Sequence, residues 1–208
     1  MPWGAPVEQS SEAKFRSYRR RYSKIKAKES EGCVGSYAFL WGQKQETTES
    51  WYGLLDTEGR PTRAVDALME GWKESPVAQP APVIESIATP STLHPDSPWV
   101  VHAGEWVEAR LPDSVGMATL RWKVLPEATH TKAGGDFEQS LGAVRVPMRT
   151  GPGMVCRFKA PAQEGAYRLY VSAVNRAHKS AHANRCFYVK PARPRSNWGW
   201  RWNFFARP

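Results

Sequence analysis

Four carboxylates lie close together in residues 46–58 and are the first candidates for acid–base chemistry: Glu46, Glu49, Asp56 and Glu58. A catalytic pair of carboxylates has to be held rigidly, with the two pKa values pushed apart. All four residues follow one apolar stretch, and a single flexible loop is a poor frame for such a pair. The sequence therefore predicts no catalytic residue in this chain.

Histidine and cysteine also offer little chemistry. Of the histidines, only His178 and His182 are close in sequence, and a four-residue spacing between two strands presents no shared face, so we expect surface residues. Cys33, Cys156 and Cys186 are an odd number at no metal-ligand spacing, which predicts free thiols, with Cys156 and Cys186 buried. No phosphate-binding glycine loop or nucleophile elbow is present. We expect no metal and no cofactor.

Residues 1–74 show the order helix, buried strand, polar loop, helix. Apolar residues recur at helical spacing in residues 10–28, and residues 33–41 form a nearly continuous apolar run that predicts a strand covered on both faces. Pro61 suits the first turn of a second helix. The predicted apolar stripes are Phe15, Tyr18, Tyr22 and Ile25 in the first helix, and Ala64, Val65, Leu68, Met69 and Trp72 in the second. This order is typical of an α/β fold with a parallel sheet.

The composition changes at residues 75–82, which predict a proline-rich linker. It changes again in residues 83–190, where short strand candidates recur. These predict an immunoglobulin-like β-sandwich, with Trp122 as a core aromatic and Tyr167 as a tyrosine corner. Residues 191–208 form an aromatic and basic tail that we expect to be disordered. Its alternating rings could also form an edge strand or a binding ribbon.

The net charge of +9 raises the possibility of a nucleic-acid partner. The excess of positive charge lies after residue 75. The basic residues there are mostly dispersed, as in a half-solvated sheet. The basic face of the helix in residues 14–28 could bind RNA or a membrane surface, but a solvated helix face explains it more simply. We expect neither a nucleic-acid nor a membrane partner.

No apolar run approaches the ~20 residues of a membrane helix, and Met1 is followed by Pro2 and Trp3 instead of a basic and then an apolar stretch. We therefore expect a soluble chain without a signal peptide, of unassigned compartment.

Residues 35–46, together with the segments at residues 51–54 and 59–68, resemble the end of a (β/α)₈ barrel in the family 2-like glycoside hydrolases. Residues 158–161, 165–171 and 187–189 resemble the immunoglobulin-like domain that follows such barrels. The resemblance covers most of the chain. It implies the last helix–strand–helix unit of a TIM barrel in residues 1–74, followed by the sandwich; relatives of this kind are often periplasmic or secreted.

The resemblance implies hydrolysis of glycosidic bonds by two carboxylates on earlier barrel strands, which this chain lacks. Trp41 would form the floor of a sugar subsite, and Gln43 and Glu46 would contact sugar hydroxyls. Trp41 could instead fill the barrel mouth, with Gln43 and Glu46 as solvated loop residues. The main prediction is a truncated or split glycoside hydrolase of carbohydrate metabolism, inactive alone, with an oligo- or polysaccharide and the missing barrel as partners.

Two other functions stay open. The chain could be a non-catalytic module in which the sandwich and the aromatic tail bind polysaccharide or a protein. It could also be a basic nucleic-acid-binding protein, which the sequence favours least because no groove-reading motif is present.

Overall fold

The computed structural model describes residues 1–89, 97–112, 115–116, 118–128 and 138–194. Two helices, α1 and α2, precede most of the strands, and the chain is mostly β-sheet. The elements are α1 (Ser11–Lys26), β1 (Gln43–Glu46), β2 (Thr48–Gly53), α2 (Arg63–Lys73), β3 (Val100–His102), β4 (Trp106–Arg110), β5 (Thr119–Pro126), β6 (Met148–Gly151), β7 (Val155–Lys159), β8 (Gly165–Val174) and β9 (Ser180–Lys190).

Two sheets form the sandwich. One has the strand order β3-β9-β8-β5, and the other has the order β4-β7-β6. Alternate residues of the long strands β8 and β9 face inward, so the core lies between the sheets. Its centre is an aromatic cluster in which Phe187 contacts Trp99, Phe158 and Tyr167 at ring-centroid distances of 5.1, 5.7 and 5.7 Å. The predicted β-sandwich is confirmed at this level.

Helices α1 and α2 pack against each other. The Ser10 hydroxyl accepts a hydrogen bond from Ala13 N at 3.2 Å at the start of α1, and the Thr62 hydroxyl accepts one from Ala64 N at 3.3 Å at the start of α2. The two helices come close at Gly71, where an added Cβ would lie 2.6 Å from Tyr22 Cδ1. The buried face of α2 packs on Leu54 in a small apolar cluster that also contains Ala64, Val65 and Leu68.

The N-terminal part of the chain covers the outer face of the four-stranded sheet through polar contacts. Arg168 Nη2 donates to Pro6 O at 2.9 Å, and Asn184 Nδ2 donates to Glu8 Oε2 at 2.6 Å. His182 N donates to the Ser11 hydroxyl at 2.7 Å. The outer face of β8 and β9 is therefore partly covered by polar contacts, whereas the inner face packs on the apolar core.

The predicted barrel unit is not present in the described structure, so the α/β fold class is wrong for residues 1–74. Residues 33–42 form no strand, and the polar residues that follow them pair antiparallel as the β1–β2 hairpin. Gly32, Gly35 and Gly42 have φ values of 93°, 152° and 155°, in the region that favours glycine, and they interrupt the extended run. A continuous apolar run alone does not show whether other strands cover it.

The aromatic tail predicted for residues 191–208 lies outside the described residues from 195 onward. The domain boundaries at residues 74/75 and 82/83 stay predictions.

Candidate binding groove

A cavity of about 490 Å³ opens between α1, the extended segment of residues 34–41, β2 and α2; we call it the aromatic groove. Such a volume lies in the range of ligand-binding clefts. Aromatic side chains supply much of its lining: Tyr18, Tyr22, Tyr37, Phe39, Trp51, Tyr52 and Trp72. The groove is thus a mainly aromatic surface open to solvent.

Helical spacing on α1 places Tyr18 and Tyr22 on one wall of the groove, which matches the predicted stripe. The Tyr18 hydroxyl donates to Phe39 O at 3.1 Å, and burial raises the pKa of Tyr18. Phe39 in turn contacts the Tyr52 ring edge-to-face at 5.8 Å. These contacts hold the segment of residues 34–41 against the helix.

Several apolar side chains around the groove remain exposed. Val34 and Tyr37 are fully exposed, Phe39 and Trp72 are 61% exposed, and Trp41 is 69% exposed. Trp72 was predicted to face the core, and that prediction is wrong because it lies at the end of α2 beside the open groove. Contiguous exposed apolar surface of this kind is typical of an interaction site.

Unpaired backbone N–H groups mark the same segment, although the carbonyl oxygen of Phe39 accepts from the Tyr18 hydroxyl. The N–H groups of residues 34–39 donate no hydrogen bond to any group within the described ranges. Pairing resumes at Leu40, whose carbonyl oxygen accepts from Leu54 N at 3.1 Å. An extended backbone with free donors can accept a further strand.

The rim of the groove is basic. Arg21 lines it, and Lys24, one turn further along α1, is exposed. Neither residue forms an ion pair with an acidic residue in the part of the chain that the structure describes. Their charge is therefore available to an acidic partner.

The predicted sugar contacts lie elsewhere. Trp41 projects into solvent, while Gln43 Nε2 donates to Glu49 O at 2.6 Å and Glu46 pairs with Lys44 at 2.6 Å within the hairpin. None of the three lines the aromatic groove. The structure does not gather these three residues at the groove, and their role in sugar binding stays a prediction.

The other carboxylates of residues 46–58 are held in ion pairs. Glu49 pairs with Lys123 at 2.6 Å, and Asp56 pairs with Arg60 at 2.7 Å, while Glu58 pairs with the same arginine. Burial opposes ionisation of Asp56, but its hydrogen bonds, first that from Arg60 N, keep its pKa below the usual value. The carboxyl groups of Glu8, Asp56, Glu58 and Glu85 have lowered pKa values, whereas a general acid needs a raised one.

His182 was predicted to lie at the surface, and that prediction is wrong. Its side chain is 13% exposed, and burial lowers its pKa to about 4. The reason is the polar cover that residues 6–14 form over β9, which strand alternation alone does not reveal. His178 is exposed, as expected.

Neither a metal-ligand cluster nor a membrane-spanning helix occurs among the described residues. Within the described ranges no three His, Cys, Asp or Glu side chains are placed to hold a metal ion. The thiols of Cys156 and Cys186 are free and buried, and burial raises their pKa values to about 12 and about 11. None of the described helices has the length and apolar character needed to span a bilayer.

No protein-family model and no curated protein matches this chain. Solved structures that match include PcoC, a methionine-rich copper resistance protein from Escherichia coli, at 20% identity and a TM-score of 0.33 over 53% of this chain and 99% of PcoC. Its selenomethionine form matches at 18% identity and a TM-score of 0.32, over 52% of this chain and 100% of that chain.

The structure corrects the resemblance drawn from the sequence. Residues 33–42, which the resemblance made the last barrel strand, form no strand, and the residues after them pair antiparallel in a hairpin. The prediction of a truncated or split glycoside hydrolase of carbohydrate metabolism is therefore wrong, and the non-catalytic binding β-sandwich fits better.

Proposed function

We propose that this chain is a non-catalytic binding module whose aromatic groove holds an extended segment of a protein partner. The observation that carries the proposal is the coincidence, in residues 34–39, of exposed aromatic side chains and unpaired backbone N–H groups. A strand laid along this segment would meet both features at once. Main-chain hydrogen bonds would give affinity, and the rings would select side chains.

The side chains supply most of the binding free energy. Full burial of a side chain such as Phe39 contributes about 1.5–3 kcal/mol relative to leaving it exposed. Aromatic residues also dominate the energetics of known interfaces. Tyr37, Phe39 and Trp72 are the main anchors because each lines the groove and is more than half exposed.

The basic rim defines the chemistry of the partner. Arg21 and Lys24 attract an apolar segment that also carries aspartate or glutamate. A polypeptide combines a regular backbone edge, apolar side chains and carboxylates in one strand. A neutral oligosaccharide supplies apolar ring faces, but it has no main chain to pair with residues 34–39, so it is the second candidate.

The sandwich serves as the scaffold, and we infer that it is immunoglobulin-like. The Tyr167 hydroxyl donates to Gln163 O at 3.0 Å, a bond to the backbone a few residues upstream as in a tyrosine corner. Trp99, not Trp122, supplies the buried core tryptophan; Trp122 is half-buried. These sandwich residues thus stabilise the scaffold and do not line the aromatic groove.

The test is selection of linear peptides from a random library on the immobilised full chain. We expect enriched peptides to combine apolar residues with Asp or Glu, and their affinity to fall at least about tenfold in Tyr37→Ala and in Phe39→Ala. Trp106→Ala is the control, because Trp106 is 48% exposed on the other sheet, away from the groove. It should bind like the unaltered chain.

A second variant tests the backbone part of the proposal. Tyr37→Pro removes both the ring and an N–H from the segment, whereas Tyr37→Ala removes the ring alone. We expect peptide binding to be weaker in the proline variant than in the alanine variant, and equal binding by the two would contradict a role for the backbone N–H. Failure to enrich any peptide, equal losses in Trp106→Ala, or binding of neutral oligosaccharides in place of peptides would each overturn the proposal.

A further inference from the structure

A second cavity, of about 330 Å³, lies on the other side of the β1–β2 hairpin; we call it the polar cavity. One wall is the turn at residues 56–60 with the end of β2, and the other is the outer face of the four-stranded sheet. Arg121, Ser172 and His182 oppose one another across β5, β8 and β9 and form a row along that face. The sheet thus presents three polar side chains to the cavity.

Both walls are fixed by hydrogen bonds. Asp56 Oδ1 accepts from Glu58 N and from Arg60 N, each at 2.9 Å, which closes the turn. Ser180 N donates to Pro61 O at 2.9 Å and so ties the turn to β9. The cavity is therefore preformed, which reduces the entropic cost of binding a ligand.

The charges that line the polar cavity are already paired with one another. Glu49 pairs with Lys123 at 2.6 Å, Asp56 with Arg60 at 2.7 Å and Glu58 with Arg121 at 3.4 Å. Equal numbers of positive and negative groups leave the lining neutral. A charged ligand would have to break these pairs, whereas a neutral ligand can use the remaining lone pairs of the carboxylates and the remaining N–H groups.

His182 lines the polar cavity, but its Nε2 atom is not accessible to a ligand there. Nε2 is buried and has no hydrogen-bond partner within the described ranges; Glu8 Oε1, at 3.9 Å, is too distant for one. Burial lowers the pKa of His182 to about 4, so the ring is neutral at pH 7 and adds no charge to the lining. A ligand that suits this lining offers hydrogen-bond donors and acceptors without a charge, as hydroxyl groups do.

We propose that the polar cavity binds a small neutral polyhydroxylated ring compound, of the size of a monosaccharide or a cyclitol. Ligand-binding cavities begin at about 300 Å³, so one such ring matches the volume. Its hydroxyls would bond to the paired carboxylates and cations of the lining. This site is separate from the aromatic groove and does not depend on the peptide partner proposed above.

The experiment is a titration of the full chain with D-glucose, D-galactose, D-mannose and myo-inositol, followed by NMR of the histidine side chains. We expect at least one compound to shift the His182 ring resonances, while those of His102 and His178 stay unchanged. Glucuronate is the charged control, and we expect it to bind more weakly than glucose. Absence of any His182 shift, or tighter binding of glucuronate, would overturn the proposal.

A cavity-filling variant provides the second readout. Ser172→Phe places a ring on the floor of the polar cavity, and binding by calorimetry should weaken at least about tenfold. Ser23→Phe is the matched control, because Ser23 is exposed on α1 away from the cavity. Unchanged binding in folded Ser172→Phe would contradict the proposal, and if that variant fails to fold, the His182 titration decides alone.

Discussion

Glu8 is a buried carboxylate that joins the N-terminal segment to the outer face of the sheet. It pairs with Lys14 at 2.7 Å and accepts hydrogen bonds from the Thr48 hydroxyl and from Asn184 Nδ2, each at 2.6 Å. Burial opposes its ionisation, but Lys14 and the hydrogen bonds outweigh burial and hold its pKa at about 2. The buried Glu8 carboxylate is tolerated at this interface because both of its oxygens have partners.

The shifted pKa of Glu8 predicts acid sensitivity. The pKa is depressed in the folded state, so its contribution is complete above the unfolded value of 4.5 and is lost as the pH falls toward about 2. The total is on the order of 3 kcal/mol, at about 1.4 kcal/mol per pH unit. His182 adds to the acid sensitivity. Its pKa is lowered from 6.5 to about 4 in the folded state, so protonation favours the unfolded state and stability falls as the pH drops below 6.5.

We expect the free energy of unfolding, measured by urea denaturation, to fall steadily between pH 6 and pH 3. Glu8→Gln should lower stability at pH 7 and flatten the part of this slope below the unfolded pKa of 4.5. Glu31→Gln is the control, because Glu31 is exposed. An unchanged slope in Glu8→Gln would show that other groups set the acid sensitivity.

At the level of elements, alternation in the sequence indicates seven strand candidates in residues 83–190, and five of them form strands. The candidates at residues 105–110, 119–125, 154–159, 166–174 and 184–189 correspond to β4, β5, β7, β8 and β9, because one face of each packs on a core. The candidates at residues 83–87 and 143–147 form no strand. The short strands β3 and β6 were missed, since three or four residues carry too little pattern. The run at residues 33–41 was mistaken for a buried strand because apolar content does not reveal an uncovered surface.

The candidate sites were predictable only in part. Helical spacing identified Tyr18 and Tyr22, which line the aromatic groove. The polar cavity and the burial of His182 depend on contacts between residues far apart in the sequence, and the polar side chains on that face of β8 and β9 match an ordinary solvated face. Local patterns cannot distinguish a polar face in water from a polar face under another segment.

The close approach of α1 and α2 predicts the effect of one small substitution. Gly71→Ala places a Cβ 2.6 Å from Tyr22 Cδ1, so the ring has to move. Overpacking of this kind costs about 1–3 kcal/mol, partly offset by the roughly 1 kcal/mol by which alanine favours a helix. We expect a lower denaturation midpoint and altered peptide binding, since Tyr22 lines the aromatic groove.

Gly142→Ala is the matched control, because nothing lies within 4 Å of the added Cβ there. A midpoint for Gly71→Ala equal to that of the control would mean that Tyr22 adapts without cost and that the helices are not tightly fitted.

At the scale of the whole molecule, the helical part and the sandwich are joined through ionic contacts as well as through the backbone. Lys179, just before β9, pairs at 2.6 Å with Asp66 of α2, which is fully buried. Asp66 also accepts from Ala81 N at 2.7 Å, and a parallel bridge joins Thr62 to Ser180. These contacts couple the helices to the sandwich, so we expect both to unfold in one transition.

Lys179→Met tests this coupling. The substitution leaves Asp66 with Arg63 and the Ala81 amide but removes its cation from the sandwich, and loss of one partner of a buried ion pair costs up to about 3–5 kcal/mol. Because Arg63 remains, we expect a loss of about 1–3 kcal/mol. The helix signal in circular dichroism should then melt before the tryptophan fluorescence of the core, whereas Lys190→Met, at an exposed position, should keep the two curves coincident. Coincident curves and an unchanged midpoint in Lys179→Met would show that the backbone bridge and the Glu8 contacts suffice to hold the two parts together.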